Sequence, residues 1–448
     1  MNSQTGYSLK KLFCIEDIFF WVMLGFAFPV IFKTSLTHTG IIYVYISMLL
    51  YLFFGLFFLK VIIKTGKQEI KIIVSYLAIC VWYAITLVYR YFTGGAWSAS
   101  LQVCFWTIIP VTIYILMLMN VFDSKKVCTR LYWAMTLLNF YSCIYCLIIV
   151  RSIRTDFLGN INMVVYFSVL GMFIYAFYYS NSNGRMNGLI YIFNMSYSVS
   201  VVLFSGSRAG VLTGVLALVL VVSLYIKNKK VMKSLGVVSL IMIIILLIAL
   251  TTNFYGSKGL FFRGLNLGTI SESLTSSKGN EIADEHELNN LMEKASTSGN
   301  AEQVMVLNDI GRIMMWQNAV KEIKKAPLIG TGIVTVYRTS DGGQLPHNVI
   351  LEYWLTYGGI GLLLWVVLAV QILYKVFKKC LSDRKRLLFI LAYIATAMMY
   401  SMVEPTMTNT FGAFLFWCGV GIFSLTESGV QMKRDAAICD RNSNLQEG

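Results

Sequence analysis

Charge is scarce in this 448-residue chain. Only 13% of its residues are charged, whereas 57% are hydrophobic and the mean hydropathy is +0.67. A composition of this kind is typical of polytopic membrane proteins and argues against a multi-domain soluble protein. The net charge of +15 does not indicate nucleic acid binding, because the basic residues lie in short clusters between apolar segments, where they set membrane orientation.

Cysteine is absent from the one long polar segment of the chain. The nine cysteines lie in or beside apolar segments or in the two tails, which argues against a disulfide framework and against a cysteine metal site. Histidine is rare as well, with three residues in all. His286 lies among carboxylates in ADEHEL, which is a weak pattern for a metal site, and we expect neither a metal nor a cofactor.

Twelve apolar segments are long enough to cross a bilayer, which needs roughly 20 residues per helix. They lie at about 18–33, 40–63, 70–92, 99–121, 128–150, 161–180, 188–205, 208–226, 232–253, 348–374, 386–404 and 407–427. The seventh and eighth segments are separated only by Gly206 and Ser207. The sequence therefore predicts an all-α polytopic membrane protein with about twelve transmembrane helices and one long external loop between helices 9 and 10.

The distribution of Lys and Arg predicts which face of the membrane each connection occupies. With both termini in the cytoplasm, most of the 37 basic residues fall in cytoplasmic connections, as the positive-inside rule requires. The first apolar segment ends without a small-residue cleavage site, so we expect an uncleaved first helix in the cytoplasmic membrane. The short external connections hold only Lys33, Arg90, Arg151, Arg154 and Arg208.

These spans divide the chain into four predicted parts: helices 1–9 over residues 1–253, the external loop over 254–345, helices 10–12 over 346–428, and a cytoplasmic tail over 429–448. The first half of the loop is rich in Ser, Asn and Glu and is typical of mobile surface. The second half predicts a short amphipathic helix near 309–325 that lies on or dips into the outer membrane face. Asp309 would cap this helix, and Pro327 and Gly330 would end it.

Ionisable residues are almost absent from the interior of the predicted spans, with Glu352 as the exception. Ion-driven transporters usually need intramembrane carboxylates or histidines, so this absence argues against a pump. A single arginine at a helix end has an ordinary interpretation, as a snorkelling side chain or a lipid-phosphate contact. Four on one face indicate a shared anionic ligand, and a diphosphate fits the bidentate guanidinium best. The ionisable residues that stand out at the external ends of helices are Arg151, Arg154, Arg208, Arg312 and His347.

His347 stands directly before a long apolar run in PHNVILEYWLTYGGIG. An ordinary interpretation exists here too, because Asn348 is a suitable N-cap for the next helix, Pro346 would set the entry turn, and the histidine would be an interfacial side chain. Gly358 and Gly361 would likewise be small residues that allow close helix packing.

Two short motifs follow one another along the chain: SRAGVL, which contains Arg208, and HNVILEYWLTYGGIG, which contains His347. Together they resemble the paired signatures of the O-antigen ligase and polymerase family of bacterial membrane glycosyltransferases. The order of the parts is also similar, with an external loop that carries an R-x-x-x-W helix and a P-x-x-G-x-G turn between the two signatures. The resemblance implies a membrane glycosyltransferase fold of the GT-C type, with Asn348 and two glycines supporting the site. The signatures are Arg208, three residues, Leu212, and then His347-Asn348, nine residues, Gly358-x-x-Gly361.

The resemblance implies a metal-independent, inverting transfer of a glycan from undecaprenyl diphosphate to an acceptor hydroxyl on the outer face of the cytoplasmic membrane. By position, it makes His347 the general base and assigns the donor diphosphate to Arg208 and Arg312. Arg151 and Arg154 join the expected donor site on their placement alone. The expected partners are the lipid-linked glycan, an acceptor glycan or lipid-linked glycan, and membrane lipids.

Other functions stay open at the level of sequence. A flippase or transporter for lipid-linked oligosaccharides would suit twelve spans, although its path should carry charge on both membrane faces and the unusual arginines here are one-sided. In a scaffold subunit, the motifs would be accidental. Within the family, ligases and polymerases share both signatures. We favour a polymerase of capsule, exopolysaccharide or O-antigen, because no part of the external loop suggests a site for a large fixed acceptor.

Overall fold

The computed structural model describes residues 70–93, 97–118, 123–145, 161–182, 184–252, 261–262, 301–332, 337–339, 342–344, 346–381, 383–404 and 410–425. The first two predicted spans, most of the predicted external loop, the tail, Arg151 and Arg154 lie outside these ranges.

Within the described ranges the chain is almost entirely helical. A short antiparallel hairpin, β1 (Tyr337–Thr339) and β2 (Gly342–Gln344), pairs Tyr337 with Gln344. The helices are α1 (Ile70–Phe92), α2 (Trp97–Leu118), α3 (Ser124–Ile144), α4 (Ile161–Asn181), α5 (Arg185–Phe204), α6 (Arg208–Tyr225), α7 (Lys229–Thr252), α8 (Ala301–Lys325), α9 (Val349–Cys380), α10 (Arg384–Ser401) and α11 (Thr410–Leu425).

Six of the described helices are long and apolar enough to cross a membrane: α1, α4, α5, α6, α7 and α9. This agrees with the predicted all-helical membrane protein. Each predicted span from the third to the twelfth overlaps one of the helices, with α8 as the additional helix between α7 and α9. The total of twelve spans, the external position of the loop and the GT-C likeness stay predictions.

The short gap at Gly206 and Ser207 separates two helices. Gly206 has a φ of 70°, a left-handed backbone conformation that glycine adopts without a Cβ penalty. Ser207 then caps α6, because its Oγ accepts a hydrogen bond from the Gly210 N–H at 3.2 Å. The chain therefore reverses direction here in three residues.

Helix α4 lies at the centre of the bundle. It is apolar around its circumference, most of its side chains are buried, and it packs against α5, α6, α10 and α11. Helices α7 and α9 instead expose rows of aliphatic side chains along one side, as a lipid-facing helix does. These exposed residues include Leu240, Ile243, Leu247, Leu363 and Val370.

The helix ends form two opposite faces. At the face that we call the basic face, Lys230 near the start of α7 donates to the Tyr179 carbonyl at the end of α4 (2.8 Å), and Arg386 of α10 donates to the Phe423 carbonyl of α11 (2.6 Å). At the opposite face, which we call the site face, α1, α5 and α10 end and α4, α6 and α9 begin.

Helix α8 differs from the predicted short helix near 309–325. It spans Ala301–Lys325, so Asp309 lies inside the helix and is not its N-cap. It packs lengthwise and parallel to the first three turns of α9. The Trp316 indole donates to the Pro346 carbonyl (2.7 Å), and the buried Ala319 and Ile323 pack against Leu355 further along. As predicted, the helix ends just before Pro327.

Candidate functional site

Arg208 is the first residue of α6, directly after the Ser207 cap. A cation at this position is unfavourable for the helix, since the helix dipole places partial positive charge there. Close packing fixes this end of α6, because a Cβ added to Gly210 would lie only 2.5 Å from the Val165 side chain of α4. The start of α6, which carries Arg208, is therefore fixed by its packing against α4.

Arg312 of α8 forms an ion pair that the sequence did not suggest. Its Nη2 donates to Oε1 of Glu404 at 2.9 Å. The Glu404 side chain is 1% exposed, whereas that of Arg312 is 35% exposed. The guanidinium thus binds a buried carboxylate while the Arg312 side chain as a whole stays partly exposed.

His347 approaches the same carboxylate from α9. Its Nδ1 lies 3.3 Å from Oε2 of Glu404, and its side chain is 20% exposed. The backbone of His347 has a φ of 52°, a left-handed conformation that is costly for a residue with a Cβ. The flanking residues hold that conformation, since Asn348 caps α9 by accepting from the Ile350 and Leu351 N–H groups and Pro346 accepts from Trp316.

Tyr400 connects this cluster to the start of α6. Its hydroxyl donates to the Asn162 carbonyl of α4 (2.9 Å), contacts the Ser207 side chain, and lies near Glu404 and Arg312. Ser207 immediately precedes Arg208. Arg208 therefore lies at the same end of the bundle as the Arg312–Glu404–His347 cluster.

A break in α9 allows His347 to reach Glu404. The stretch from His347 to Cys380 is about 33 residues, which would span about 50 Å as a straight helix. The stretch from Arg384 at the start of α10 to Glu404 just after it is about 20 residues, or about 30 Å. A straight α9 would carry His347 roughly 20 Å past Glu404. At Gly358, where φ is 70° and ψ is 179°, the helix changes direction, and the two side chains meet.

The two signature glycines have different roles. Gly361 packs against α1, since a Cβ there would lie 3.0 Å from Nε1 of Trp82, and this agrees with the close packing that the sequence suggests. Gly358 does not serve helix packing of that kind. Its positive φ produces the break itself, and a Cβ there would collide with the Leu328 carbonyl.

The structure brings three of the predicted site residues into one region and adds a fourth. Arg312 and His347 share the Glu404 carboxylate, and Arg208 lies at the same end of the bundle. Glu352, the one charge expected inside a span, lies in the first turn of α9 and is buried.

Glu404 was missed because it ends a predicted span, where a carboxylate usually faces water. The available signal was the tract MVEPT, which places an acidic residue at the same membrane face as three predicted functional residues.

Chemically, the cluster places a guanidinium and an imidazole on one buried carboxylate. Two guanidinium groups at the site face can bind phosphate oxygens. The His347 Nδ1 lies 3.3 Å from Glu404 Oε2 without meeting hydrogen-bond geometry. A carboxylate at this distance can orient an imidazole and leave its other nitrogen to take a proton from a hydroxyl.

Residues 193–366 match the family model of the O-antigen ligases, which agrees with the family that the signatures predicted. The match includes Arg208, Arg312 and His347, and both signature glycines. It begins after the two arginines outside the described ranges and ends before Glu404. A search of curated proteins found no match to the chain.

Proposed function

Since residues 193–366 belong to the O-antigen ligase family, we propose that this protein is a membrane glycosyltransferase that moves a glycan from undecaprenyl diphosphate to an acceptor hydroxyl. The observation that supports this most directly is the Arg312–Glu404–His347 cluster at the same end of the bundle as Arg208. It provides guanidinium groups for a diphosphate and, within the same cluster, an oriented base for a hydroxyl.

The donor carries its own leaving group. As the bond between the anomeric carbon and the diphosphate oxygen breaks, negative charge grows on the phosphate, and Arg208 and Arg312 stabilise it. These arginines act at the edge of a low-dielectric region, where such interactions are stronger than in water. Arg151 and Arg154, which lie outside the described residues, remain proposed donor ligands on their placement in the sequence alone.

The acceptor must lose a proton as it attacks. With Nδ1 of His347 facing Glu404, Nε2 is the nitrogen that takes the proton from the acceptor hydroxyl, a step typically worth about 10²–10⁴-fold. The new bond forms on the side of the sugar opposite the leaving diphosphate, so the anomeric configuration inverts. Asn348 and the two glycines hold His347 in place, and the reaction proceeds without a metal or other cofactor.

The site face is the outer face of the cytoplasmic membrane in this proposal. The basic face carries the lysines and arginines of the connections from α4 to α5, α6 to α7 and α9 to α10, which the positive-inside rule assigns to the cytoplasm. A lipid-linked glycan on the outer leaflet would then meet the arginines at the level of its diphosphate.

Reconstitution into proteoliposomes with an undecaprenyl diphosphate oligosaccharide as the sole substrate tests the reaction class. A ladder of longer lipid-linked products identifies a polymerase, which we favour, and product only after addition of a second acceptor identifies a ligase. Movement of the donor across the bilayer with no new glycosidic bond would identify a flippase and contradict the proposal.

A further inference from the structure

The break in α9 is filled by a second part of the chain. Residues 327–332, which we call the insert turn, enter the break and satisfy backbone groups that α9 cannot pair internally. The insert turn accepts hydrogen bonds from N–H groups of α9 and donates one to a carbonyl of α9. It therefore takes the place of a missing turn of helix. The bonds run from Gly359 N–H to the Pro327 carbonyl (2.8 Å), from Ile360 N–H to the Leu328 carbonyl (3.3 Å) and from Gly332 N–H to the Leu355 carbonyl (3.1 Å).

Glycine on both sides makes this approach possible. A Cβ on Gly330 would lie 2.6 Å from the Gly358 nitrogen and from the Leu355 carbonyl oxygen, and Gly330 also has a φ of 77°. The two backbones are therefore in direct contact, with no room for a side chain between them. This contact is the physical reason for glycine at position 330 of the P-x-x-G-x-G turn and at position 358 of the His signature.

Arg90 joins a third element to this contact. It lies in the last turn of α1, is 2% exposed, and donates from Nη2 to the carbonyls of Ile329 (3.1 Å) and Gly330 (3.3 Å) in the insert turn and of Thr356 in α9. The sequence predicted that Arg90 lies in an external connection, whereas the structure shows that its side chain is buried. A buried guanidinium is costly unless its donors are satisfied, so these carbonyls retain it.

The joined elements carry different halves of the site. Helix α8 and the first three turns of α9 form one unit, which bears Arg312 and His347 and is held together by the Trp316 and Ile323 contacts. Glu404 follows α10 in the helical body. The position of the first unit relative to that body depends on the break, because α9 continues into the body only after Gly358.

We propose that Arg90 is a positioning residue that fastens the insert turn into the break of α9 and so sets the placement of His347 and Arg312 against Glu404. The inference rests on the proposed function for its kinetic consequences, but not for its structural one. A direct role for Arg90 on the donor diphosphate is the competing interpretation. It would require a buried guanidinium to leave its backbone carbonyls.

Hydrogen exchange in the donor-free protein tests the fastening without any activity assay. In Arg90→Ala, amide exchange in 327–332 and 355–360 should rise at least tenfold while exchange in α4 stays unchanged. Arg185→Ala, on the exposed start of α5, is the matched control and should change neither segment. Arg90→Lys keeps a cationic donor and should give intermediate exchange. Unchanged exchange in Arg90→Ala would overturn the proposal.

A double-mutant cycle separates positioning from donor contact. Gly330→Ala disturbs the same junction without changing charge, and Gly236→Ala is its control because nothing lies within 4 Å of a Cβ there. We expect Arg90→Ala and Gly330→Ala each to lower kcat at least tenfold. The kcat of the double variant should lie within about threefold of the kcat of the less active single variant. Multiplied losses in the double variant would indicate independent roles and contradict positioning.

The two experiments also separate this inference from the proposed function. If Arg90→Ala alters hydrogen exchange but the wild-type protein transfers no glycan, the junction is supported and the proposed glycosyltransferase activity is refuted. If Arg90→Ala leaves hydrogen exchange unaltered and the wild-type protein transfers glycan, the glycosyltransferase activity is supported and the role of Arg90 at the junction is refuted.

Discussion

Replacing Glu404 with Gln should lower kcat about 10²-fold and leave the fold nearly intact. Glu404 is 1% exposed, and its two oxygens contact Arg312 Nη2 at 2.9 Å and His347 Nδ1 at 3.3 Å. Glutamine keeps the shape and one acceptor oxygen for Arg312. It removes the charge that favours the protonated imidazole formed when the acceptor loses its proton, and its amide can hold the imidazole in the wrong tautomer.

The expected magnitude follows from burial. A buried charge left alone costs several kcal/mol, but here the buried charge is the one removed, and Arg312 stays 35% exposed to solvent. We therefore discount the loss of stability to about 1 kcal/mol or less. The kinetic loss should be larger, because misorienting a general base forfeits part of its typical 10²–10⁴-fold contribution. A 10²-fold decrease corresponds to about 2.7 kcal/mol.

The assay is the initial rate of glycan transfer in proteoliposomes, with thermal unfolding and membrane accumulation measured in parallel. Glu322→Gln is a matched control, because Glu322 pairs with Lys325 on the exposed side of α8 (2.6 Å) and should show wild-type kcat. Glu404→Asp keeps the charge at a shorter reach and should retain more activity than Glu404→Gln. Full activity in Glu404→Gln would refute the orienting role of the carboxylate.

Further expectations concern donor binding and packing. Arg312→Ala should lower kcat/KM for the lipid-linked donor at least tenfold in steady-state assays, with Lys restoring part of the loss, and an unchanged kcat/KM would exclude a diphosphate contact. Arg208→Ala should do the same at the other side of the donor. Gly210→Ala should destabilise the protein by about 1–3 kcal/mol in detergent unfolding, since its Cβ would lie 2.5 Å from Val165. Equal stability of Gly210→Ala and wild type would show that α4 and α6 adapt freely.

The sequence predicted much of the helical body because a bilayer imposes one simple rule. A span needs a long apolar run, and breaks such as Gly206-Ser207 carry their own turn and cap chemistry. Spacing and capping residues, which predicted α8, misplaced its start, since Asp309 is a good cap residue by type and helical spacing alone does not reveal an earlier start at or before Ala301.

The site was predictable where a motif exists and hidden where only tertiary contact creates it. Arg312 and His347 stand in recognisable signatures, but their meeting depends on the direction change at Gly358, and the sequence presents that residue only as a small one. Glu404 acquires its role from α10 packing beside α6. Arg90 reads as an ordinary helix-end cation until the insert turn supplies its carbonyl partners.

The central claim is that His347 removes the acceptor proton in a transfer from a lipid-linked donor, and one measurement tests it most directly. Purified wild-type and His347→Ala proteins, reconstituted at equal amounts, are compared for new glycosidic bond formation from undecaprenyl diphosphate oligosaccharide, with a second acceptor supplied if wild type requires one. We expect a loss of about 10²–10⁴-fold in His347→Ala with the donor KM changed by less than about threefold. Wild-type transfer rates in His347→Ala would contradict the account.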